Sequence, residues 1–324
     1  MADWRPSASL SALRRRAGVL TKIRRFFEYR GVMEVDTPIL SVAAATDLQV
    51  ASFVTCDQGP GARAQQPLYL HTSPEFPMKR LLAAGAGSIY QICKVFRSGE
   101  RGRWHNPEFT LLEWYRPGFD HHALMDEMDA LLAEILGCPP AARLSYAEIF
   151  RHNVGIDPHQ AGVAELRERA MGLGVGEALP LESLDRDGWL DLLLTHCIAS
   201  TLGQRGRPSF VYDYPASQAA LAQVRLGSPA VAERFEVYLG GVELANGFHE
   251  LGDSQEQRWR FEADRAQRRR VGLPVVPLDE HLLEALDHGL PGCAGVALGI
   301  DRLLMAMMEA TTIEEVMAFP IERA

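Results

Sequence analysis

The sequence FRSGERGRWHNPEFTLLEWYRP, residues 96–117, decides the fold. Strand-like runs at 89–97 and 109–115 flank a polar loop, which predicts an antiparallel hairpin. An arginine that closes one strand (Arg97) and an aromatic that opens the next (Phe109) would flank one pocket. The planar guanidinium can hold a phosphate, and the ring can stack on a base. A surface arginine and a core phenylalanine would give the same isolated pair, so the interpretation depends on the full string.

A second informative stretch is GVALGIDR, residues 295–302, a strand of small residues that leads into a helix. Glycines allow a ligand to approach the backbone closely, and Arg302 would meet an anion at the start of the helix. Further helices are predicted over 8–30, 120–136 and 254–270. Because strands and helices do not alternate regularly, the pattern favours an antiparallel α+β domain over a doubly wound sheet.

Composition excludes several classes of protein. The 324 residues are 47% hydrophobic and 23% charged, as expected of a globular chain. The net charge of −9 argues against coating nucleic acid through bulk charge, although a local basic patch is compatible with it. No signal peptide or spanning segment is evident, so we expect a cytoplasmic protein with no membrane association. Five isolated cysteines, none in a CxxC pair, argue against a disulfide framework or a zinc site.

Read in order, Gly31–Leu40, the 96–115 string and residues 295–302 resemble the three motifs of class II aminoacyl-tRNA synthetases. HNPEFT at 105–110 and RFEVYLGGVELANGFHE at 234–250 narrow the resemblance to the lysyl-tRNA synthetase branch. The resemblance implies an antiparallel sheet flanked by helices. It also implies a single catalytic domain over residues 1–324, with a helical insertion at approximately 120–205.

The pattern begins within the first ten to twenty residues, so we expect no anticodon-binding domain. In this respect the chain resembles the elongation factor P–lysine ligases, truncated paralogues that attach (R)-β-lysine to a lysine of that factor. SPEFPMKRLL at 73–82 and FVYDYPASQAALAQV at 210–224 are similar to the same family.

The resemblance implies an ATP site in which Arg97 holds the α-phosphate, Arg302 the γ-phosphate and Phe109 the adenine; both arginines are the predicted catalytic residues. Glu236 and Glu243 would bind Mg²⁺, although two glutamates at that spacing also suit a solvated strand face. The full predicted ATP set is Arg97, Ser98, Gly99, Glu100, His105, Asn106, Phe109, Glu243, Leu244, Gly299 and Arg302. The amino-acid set, which must meet two ammonium groups, is Ser73, Pro74, Glu75, Glu113, Tyr115, Asn246, Phe248, Glu250 and Ala297.

The chain departs from these families at a few positions. Gly99 stands where they usually have glutamate, and Glu100 follows it, so the adenine contact is expected to shift to Glu100. Ala245 and Ala297 stand where lysyl-tRNA synthetases usually have glycine. Their methyl groups would either narrow the amino-acid pocket or only improve strand packing.

The resemblance predicts an ATP-dependent ligase that forms an (R)-β-lysine adenylate and transfers it to elongation factor P. A homodimer is expected because the first motif lies at the subunit interface in class II synthetases. The expected partner is protein rather than tRNA, with Arg14–Arg16 and Arg24-Arg25 as candidate docking residues. Two alternatives stay open: an enzyme that charges tRNA, and an inactive synthetase-like regulator. The presence of both phosphate arginines and both metal glutamates speaks against the second.

Overall fold

A computed structural model describes residues 4–59, 66–175 and 184–324. Its helices are α1 (Leu10–Glu28), α2 (Glu75–Ala83), α3 (His121–Leu136), α4 (Tyr146–Asn153), α5 (Val163–Gly172), α6 (Arg186–Leu193), α7 (Ser254–Arg270), α8 (Glu280–Gly289) and α9 (Ile300–Met308). Its strands are β1 (Met33–Glu34), β2 (Leu40–Ser41), β3 (Val54–Cys56), β4 (Pro67–Leu70), β5 (Ile89–Phe96), β6 (Glu108–Pro117), β7 (Ala142–Ser145), β8 (Ser209–Pro215), β9 (Val224–Arg225), β10 (Val231–Leu239), β11 (Val242–His249) and β12 (Cys293–Gly299). No helix in these ranges is long and apolar enough to cross a membrane.

The chain divides into two compact units. The first comprises Met1–Gly118, Leu251–Cys293 and Ala297–Ala324, and the second comprises Phe119–Glu250 and Ala294–Val296. The expectation of a single catalytic domain over 1–324 stays a prediction.

The first unit is built on the predicted hairpin. β5 and β6 pair antiparallel from Ile89 opposite Tyr115 to Phe96 opposite Glu108. Helix α1 begins at an N-cap, where the Ser9 hydroxyl accepts a hydrogen bond from the helix backbone. Its apolar stripe covers the hairpin, and Phe27 stacks on Tyr90 with ring centroids 4.5 Å apart. This unit also contains a smaller sheet of order β2-β4-β3.

The second unit contains the antiparallel strands β8, β10 and β11, with β10 in the middle. A β-bulge between Val237 and Tyr238 shifts the β10–β11 register. Aromatic residues fill the core beside these strands: Tyr146 stacks on Phe150, and Tyr214 lies 4.7 Å from the Tyr146 ring. This core fixes the face from which the site residues of β10 and β11 project.

The expected sheet flanked by helices is confirmed, with two refinements. β1 pairs with β5 and β7 pairs with β8 in parallel, so the antiparallel arrangement does not hold at these two strands. The segment predicted as a helical insertion, 120–205, does contain α3 to α6. It also supplies strand β7, and the compact unit continues to Glu250. Residues 176–183 of that segment lie outside the described residues.

Candidate active site

A buried carboxylate, Glu113 on β6, organises the acidic part of the first unit. It is 2% exposed. The Ser73 hydroxyl donates to its Oε2 over 2.7 Å, and the Tyr115 hydroxyl donates to its Oε1 over 2.6 Å. Ser73 Oγ also accepts from the backbone of Glu75 at 3.0 Å, which fixes the start of α2. Glu75 in turn accepts from the buried ammonium of Lys79 at 2.7 Å. One hydrogen-bonded chain therefore joins residues from α2 and β6.

The electrostatics of Glu113 suit a cationic ligand. Burial and the neighbouring negative charge of Glu75 raise the pKa of Glu113 to about 7, despite the hydrogen bonds from Tyr115 and Ser73 and the nearby Lys79. A protonated carboxyl is thus poised to ionise near neutral pH. An ammonium group that enters beside it would stabilise the ionised form and displace the proton.

Arg97 follows β5 at the start of the motif loop. Its guanidinium lies 5.1 Å from the centroid of the Phe109 ring, and its Nη1 lies 3.6 Å from Glu100 Oε1. Its Nε donates a long hydrogen bond, 3.4 Å, to the carbonyl of Thr72. Both partners are weak or partly solvated, so the guanidinium can exchange them for a phosphate.

Arg302 and His105 form a second cationic group in this unit. Arg302 Nη2 lies 2.7 Å from His105 Nε2, and its Nε donates to the carbonyl of Trp104 at 3.4 Å. Burial, with the positive charges of Arg302 and Arg97, lowers the pKa of His105. The neutral ring can accept the hydrogen bond from Arg302, and the pair presents its cationic charge on the arginine.

Asp301 holds the helix that carries Arg302. The Asp301 carboxylate is 2% exposed. One oxygen accepts from the backbone of Thr110 at 2.7 Å, and the other forms a 2.6 Å ion pair with Arg16 of α1. Arg16 also donates to the Thr110 hydroxyl at 2.6 Å. These bonds tie the first turn of α9 to β6 and α1, which orients the neighbouring arginine.

In the second unit, Glu236 lies within a hydrogen-bonded cluster on one face of β10 and β11. Arg234 Nη2 donates to Glu236 Oε1, and the Tyr238 hydroxyl donates to Glu236 Oε2. Both hydrogen bonds are 2.5 Å long. Arg234 Nε also donates to Asn246 Oδ1 at 3.2 Å, and its guanidinium lies 6.0 Å from the Phe248 ring. This face therefore brings together several β11 residues that were predicted to bind the amino-acid substrate.

The two predicted magnesium ligands share that face. Glu243 is the cross-strand partner of Tyr238, whose hydroxyl reaches Glu236. Directly paired residues project to the same side of a sheet, so Glu236 and Glu243 do so too. Carboxylate oxygens are hard ligands, so a donor set of Glu236 and Glu243 fits a hard cation such as Mg²⁺.

Comparison with known proteins identifies the family of this chain. The family model "tRNA synthetases class II (D, K and N)" matches residues 1–323. An elongation factor P–(R)-β-lysine ligase of Vibrio vulnificus is 54% identical over 98% of both chains. The enzyme of that name from Edwardsiella ictaluri is 52% identical over 100% of this chain and 99% of its own, and the one from Vibrio cholerae is 54% identical over 99% of both. This chain belongs to that ligase family, within the class II tRNA synthetases.

The structure connects some of the ligase-family site residues predicted from sequence and gives others a structural contact. In the first unit, hydrogen bonds or ring contacts link Ser73, Glu75, Glu113 and Tyr115; Arg97, Glu100 and Phe109; and His105 with Arg302. Pro74 is the N-cap of α2, Ser98 donates its backbone N–H to the Ala51 carbonyl, Gly299 is the N-cap of α9, and Ala297 lies in β12. In the second unit, Glu236, Asn246 and Phe248 contact Arg234, Leu244 is buried in β11, and the Glu250 carbonyl accepts from Gln223.

Asn106 and Gly99 have clear structural roles. The Asn106 side chain donates to the Glu108 carbonyl at 2.6 Å and accepts from the Ile321 backbone at 3.0 Å, so both of its polar ends hold backbone. Gly99 has φ +86°, a conformation that disfavours the glutamate usual at this position. Glu100 pairs with Arg97 in this structure.

Sequence reasoning missed Lys79, Arg234, Tyr238 and Asp301. Lys79 had a readable signal, because it follows Glu75 by four residues on a helix. Arg234 and Tyr238 stand two residues either side of Glu236, the spacing of one strand face. Asp301 had no signal in the sequence, because its partner Arg16 is 285 positions away.

Proposed function

We propose that this chain is an ATP-dependent ligase that activates (R)-β-lysine and transfers it to a lysine side chain of elongation factor P. The observation that carries the proposal is the full-length similarity to ligases of that name, at 54% identity over 98% of both chains for one relative. The buried Glu113 and its neighbour Glu75 support it, because a substrate with two ammonium groups needs carboxylates in a protected pocket.

The proposed reaction has two steps. A carboxylate oxygen of the amino acid attacks the α-phosphorus of ATP, forming the acyl-adenylate and releasing pyrophosphate. The amine of the partner lysine then attacks the acyl carbon, an amide bond forms, and AMP leaves with the bonding electrons while the amine loses a proton. Both steps develop negative charge on phosphate oxygens, so preorganised cations accelerate the first and stabilise the leaving group in the second.

Arg97 and Arg302 are the proposed phosphate cations. Arg97 would hold the α-phosphate, exchanging its long contacts with Thr72 and Glu100 for phosphate oxygens. Arg302 would hold the γ-phosphate, oriented by His105 on one side and by the neighbouring Asp301 on the other. Phe109 would stack on adenine.

Within the second unit, Glu236 and Glu243 are the proposed holders of Mg²⁺, which when bound would neutralise phosphate charge. Arg234 and Tyr238 hold the Glu236 carboxylate in place through two hydrogen bonds. Asn246, Phe248 and the other second-unit residues of the predicted set would line the amino-acid site. We further propose that the enzyme is a homodimer, that its partner is protein rather than tRNA, and that it acts in the cytoplasm.

The proposal is tested by ATP–pyrophosphate exchange with (R)-β-lysine and α-lysine in parallel, followed by transfer to purified elongation factor P. Arg97→Ala and Arg302→Ala should each lower the rate of ATP–pyrophosphate exchange by about 10²–10³-fold, which is the usual effect of removing one preorganised donor. Arg101→Ala is the matched control, since that arginine lies in the same loop, is 62% exposed and pairs only weakly with Glu322 at 3.4 Å.

Three results would contradict the proposal. Exchange with neither lysine isomer would favour an inactive regulator. Efficient charging of bulk tRNA without transfer to the factor would favour a tRNA-charging enzyme. Unchanged exchange in either phosphate-arginine variant would remove that residue from the ATP site.

A further inference from the structure

A second group of chemistry-bearing side chains lies in the second unit, away from the residues assigned above. His121 is the first residue of α3, and Asp213, Glu233 and His249 lie on β8, β10 and β11. One possible ligand atom from each of His121, Glu233 and His249 lies within 4.8 Å of the other two. Three separate elements therefore converge on one point, and Asp213 Oδ1, from a fourth element, lies 3.7 Å from His121 Nε2.

Hydrogen-bond partners separate this cluster from Glu236. Glu233 contacts His249 and Arg225. Glu236 contacts Arg234 and Tyr238, and Arg234 contacts Asn246. The cluster therefore has different partners from the proposed magnesium and amino-acid residues of this unit.

The cluster contains buried polar atoms without hydrogen bonds. His121 is 1% exposed, and neither of its ring nitrogens has a hydrogen-bond partner. Asp213 Oδ1 lies 3.7 Å from His121 Nε2 and is itself buried without a hydrogen bond. Burying such groups without partners is unfavourable, so native structures rarely retain them. Their convergence points to a missing ligand that accepts lone pairs from both nitrogen and oxygen.

Arg225 orients the two carboxylates toward that point. It donates to Asp213 Oδ2 at 2.7 Å and to Glu233 Oε1 at 3.1 Å. The other oxygens, Asp213 Oδ1 and Glu233 Oε2, are left facing the two histidines. Hydrogen bonds that hold the outer atoms of ligating carboxylates are typical of metal sites, where they fix ligand direction.

The carboxylates are also in the ionised form that a metal requires. Burial would raise the pKa of Asp213, but His121 and Arg225 hold it below its ordinary value. Burial likewise opposes ionisation of Glu233, and His249, His121 and Arg225 lower its pKa. A hydrogen bond joins His249 Nδ1 and Glu233 Oε2, which lie 2.5 Å apart. A cation that bound both atoms would displace the proton of that hydrogen bond.

We propose that His121, Asp213, Glu233 and His249 form a structural site for a divalent transition-metal ion, with Zn²⁺ the best fit. Two imidazoles and two carboxylates are a tetrahedral N₂O₂ donor set of the kind that zinc accepts at about 2.0–2.2 Å. Tetrahedral ligands at that radius are roughly 3.3–3.5 Å apart, so the three atoms now within 4.8 Å need move only about 1 Å. The cysteine pattern gives no sign of the site, because none of its ligands is a cysteine.

The site would fasten the start of α3 to three strands. Because those ligands come from four elements, the ion would stabilise the folded unit and bind the unfolded chain weakly. Zinc should then raise the midpoint of thermal unfolding in a concentration-dependent way.

The test is metal binding by the full chain, without a polyhistidine tag and after treatment with a chelator. Zn²⁺ affinity is measured by competition with a chromogenic chelator, and Co²⁺ is added separately to read the ligand field from its visible absorption. We expect one ion per chain, the intense absorption of tetrahedral cobalt, and protection against thermal unfolding.

Two variants and one control assign the ligands. Asp213 has φ +58°, which asparagine tolerates, so Asp213→Asn keeps the backbone and removes the charge. His121→Leu fills the buried space without a ligand. Each should weaken zinc binding at least about tenfold. His122→Ala removes the adjacent exposed histidine and should bind as wild type.

The wild-type measurement decides the proposal even if a variant folds poorly. No stoichiometric binding, or octahedral cobalt absorption alone, would mean that the four residues form an ion-pair cluster with Arg225 and no metal site. Wild-type affinity in both folded variants would place the ion elsewhere and equally overturn the assignment.

Discussion

Binding of the amino acid should release a proton from Glu113. Burial and Glu75 raise the pKa of this carboxyl to about 7, whereas a bound ammonium needs the ionised form. With that pKa, about 0.9 of the Glu113 groups carry a proton at pH 6 and about 0.1 at pH 8. The number of protons released per bound ligand should therefore decrease from about 0.9 at pH 6 to about 0.1 at pH 8. The affinity for the ligand should rise about tenfold over the same range.

The assay is calorimetric titration of (R)-β-lysine, without ATP, in pairs of buffers whose ionisation enthalpies differ. The dependence of the observed heat on buffer gives the number of protons released. Glu113→Gln, titrated at high ligand concentration, reports the release from all other groups, which is then subtracted. The ε-ammonium, with an ordinary pKa of about 10.4, does not titrate in this range.

Tyr115→Phe provides a change of predictable direction. The Tyr115 hydroxyl donates to Glu113 at 2.6 Å and stabilises its ionised form. Its removal should raise the pKa of Glu113 further, so the variant should release more protons than wild type at pH 8. Absence of release at pH 6 in the wild type, or less release at pH 8 in the variant, would refute the reasoning.

The same pKa predicts a stability change in the ligand-free protein. A carboxyl whose folded pKa is raised stabilises the fold below its unfolded pKa and loses that contribution as pH rises through the folded value. From the ordinary 4.5 to about 7, the loss is on the order of 3 kcal/mol. Calorimetric melting should therefore show that the stability of Glu113→Gln relative to wild type increases between pH 5 and pH 8. A stability difference that does not change with pH would contradict the raised pKa of Glu113.

Three other predictions follow from packing and exposure. A Cβ on Gly247 would lie 2.5 Å from the Phe235 ring, so Gly247→Ala should destabilise the protein by about 1–3 kcal/mol. Thermal melts measure this loss, and an unchanged melting midpoint would contradict the close packing of Gly247 on Phe235. Leu40 is 48% exposed in the first-motif segment, so Leu40→Asp should convert the proposed dimer to a monomer in sedimentation, and a wild-type monomer would contradict the dimer. Ala297→Gly should raise the kcat/KM ratio of α-lysine over (R)-β-lysine, about tenfold for one methyl group, with Ala245→Gly having a smaller or additive effect. An unchanged ratio in both would leave only the packing explanation.

The elements that the sequence predicted best are those whose signal is local. The hairpin around 96–117 is confirmed because alternation, a polar loop and aromatic residues all occur within one short stretch. Helices α1 and α7 are confirmed within two residues of the predicted ends. The parallel pairing of β1 with β5 and of β7 with β8 could not be predicted, because the paired residues are 56 and 67 positions apart.

The sequence predicted which types of residue form the candidate site, but it predicted much less about the contacts between them. The sequence places Glu236 and Glu243 seven positions apart, which suits either a metal pair or a solvated face. A β-bulge between Val237 and Tyr238 sets the register that brings Tyr238 opposite Glu243, and bulges have no firm sequence signature. With that register, Glu236 is 6% exposed and held by two donors. The solvated-face alternative is therefore wrong for Glu236.

The basic face of α1 shows why counting charges is insufficient. The sequence places Arg14–Arg16 and Arg24-Arg25 on one helix and suggests a docking patch for an acidic partner. Arg16 forms a 2.6 Å ion pair with the buried Asp301 and holds the helix of Arg302, so it serves folding rather than docking. Arg24 pairs with Glu34 at 3.1 Å, which cancels much of its field. Any docking by this helix must therefore depend on the exposed Arg14, Arg15 and Arg25, and a charge reversal that included Arg16 would confuse loss of partner binding with loss of the ATP site.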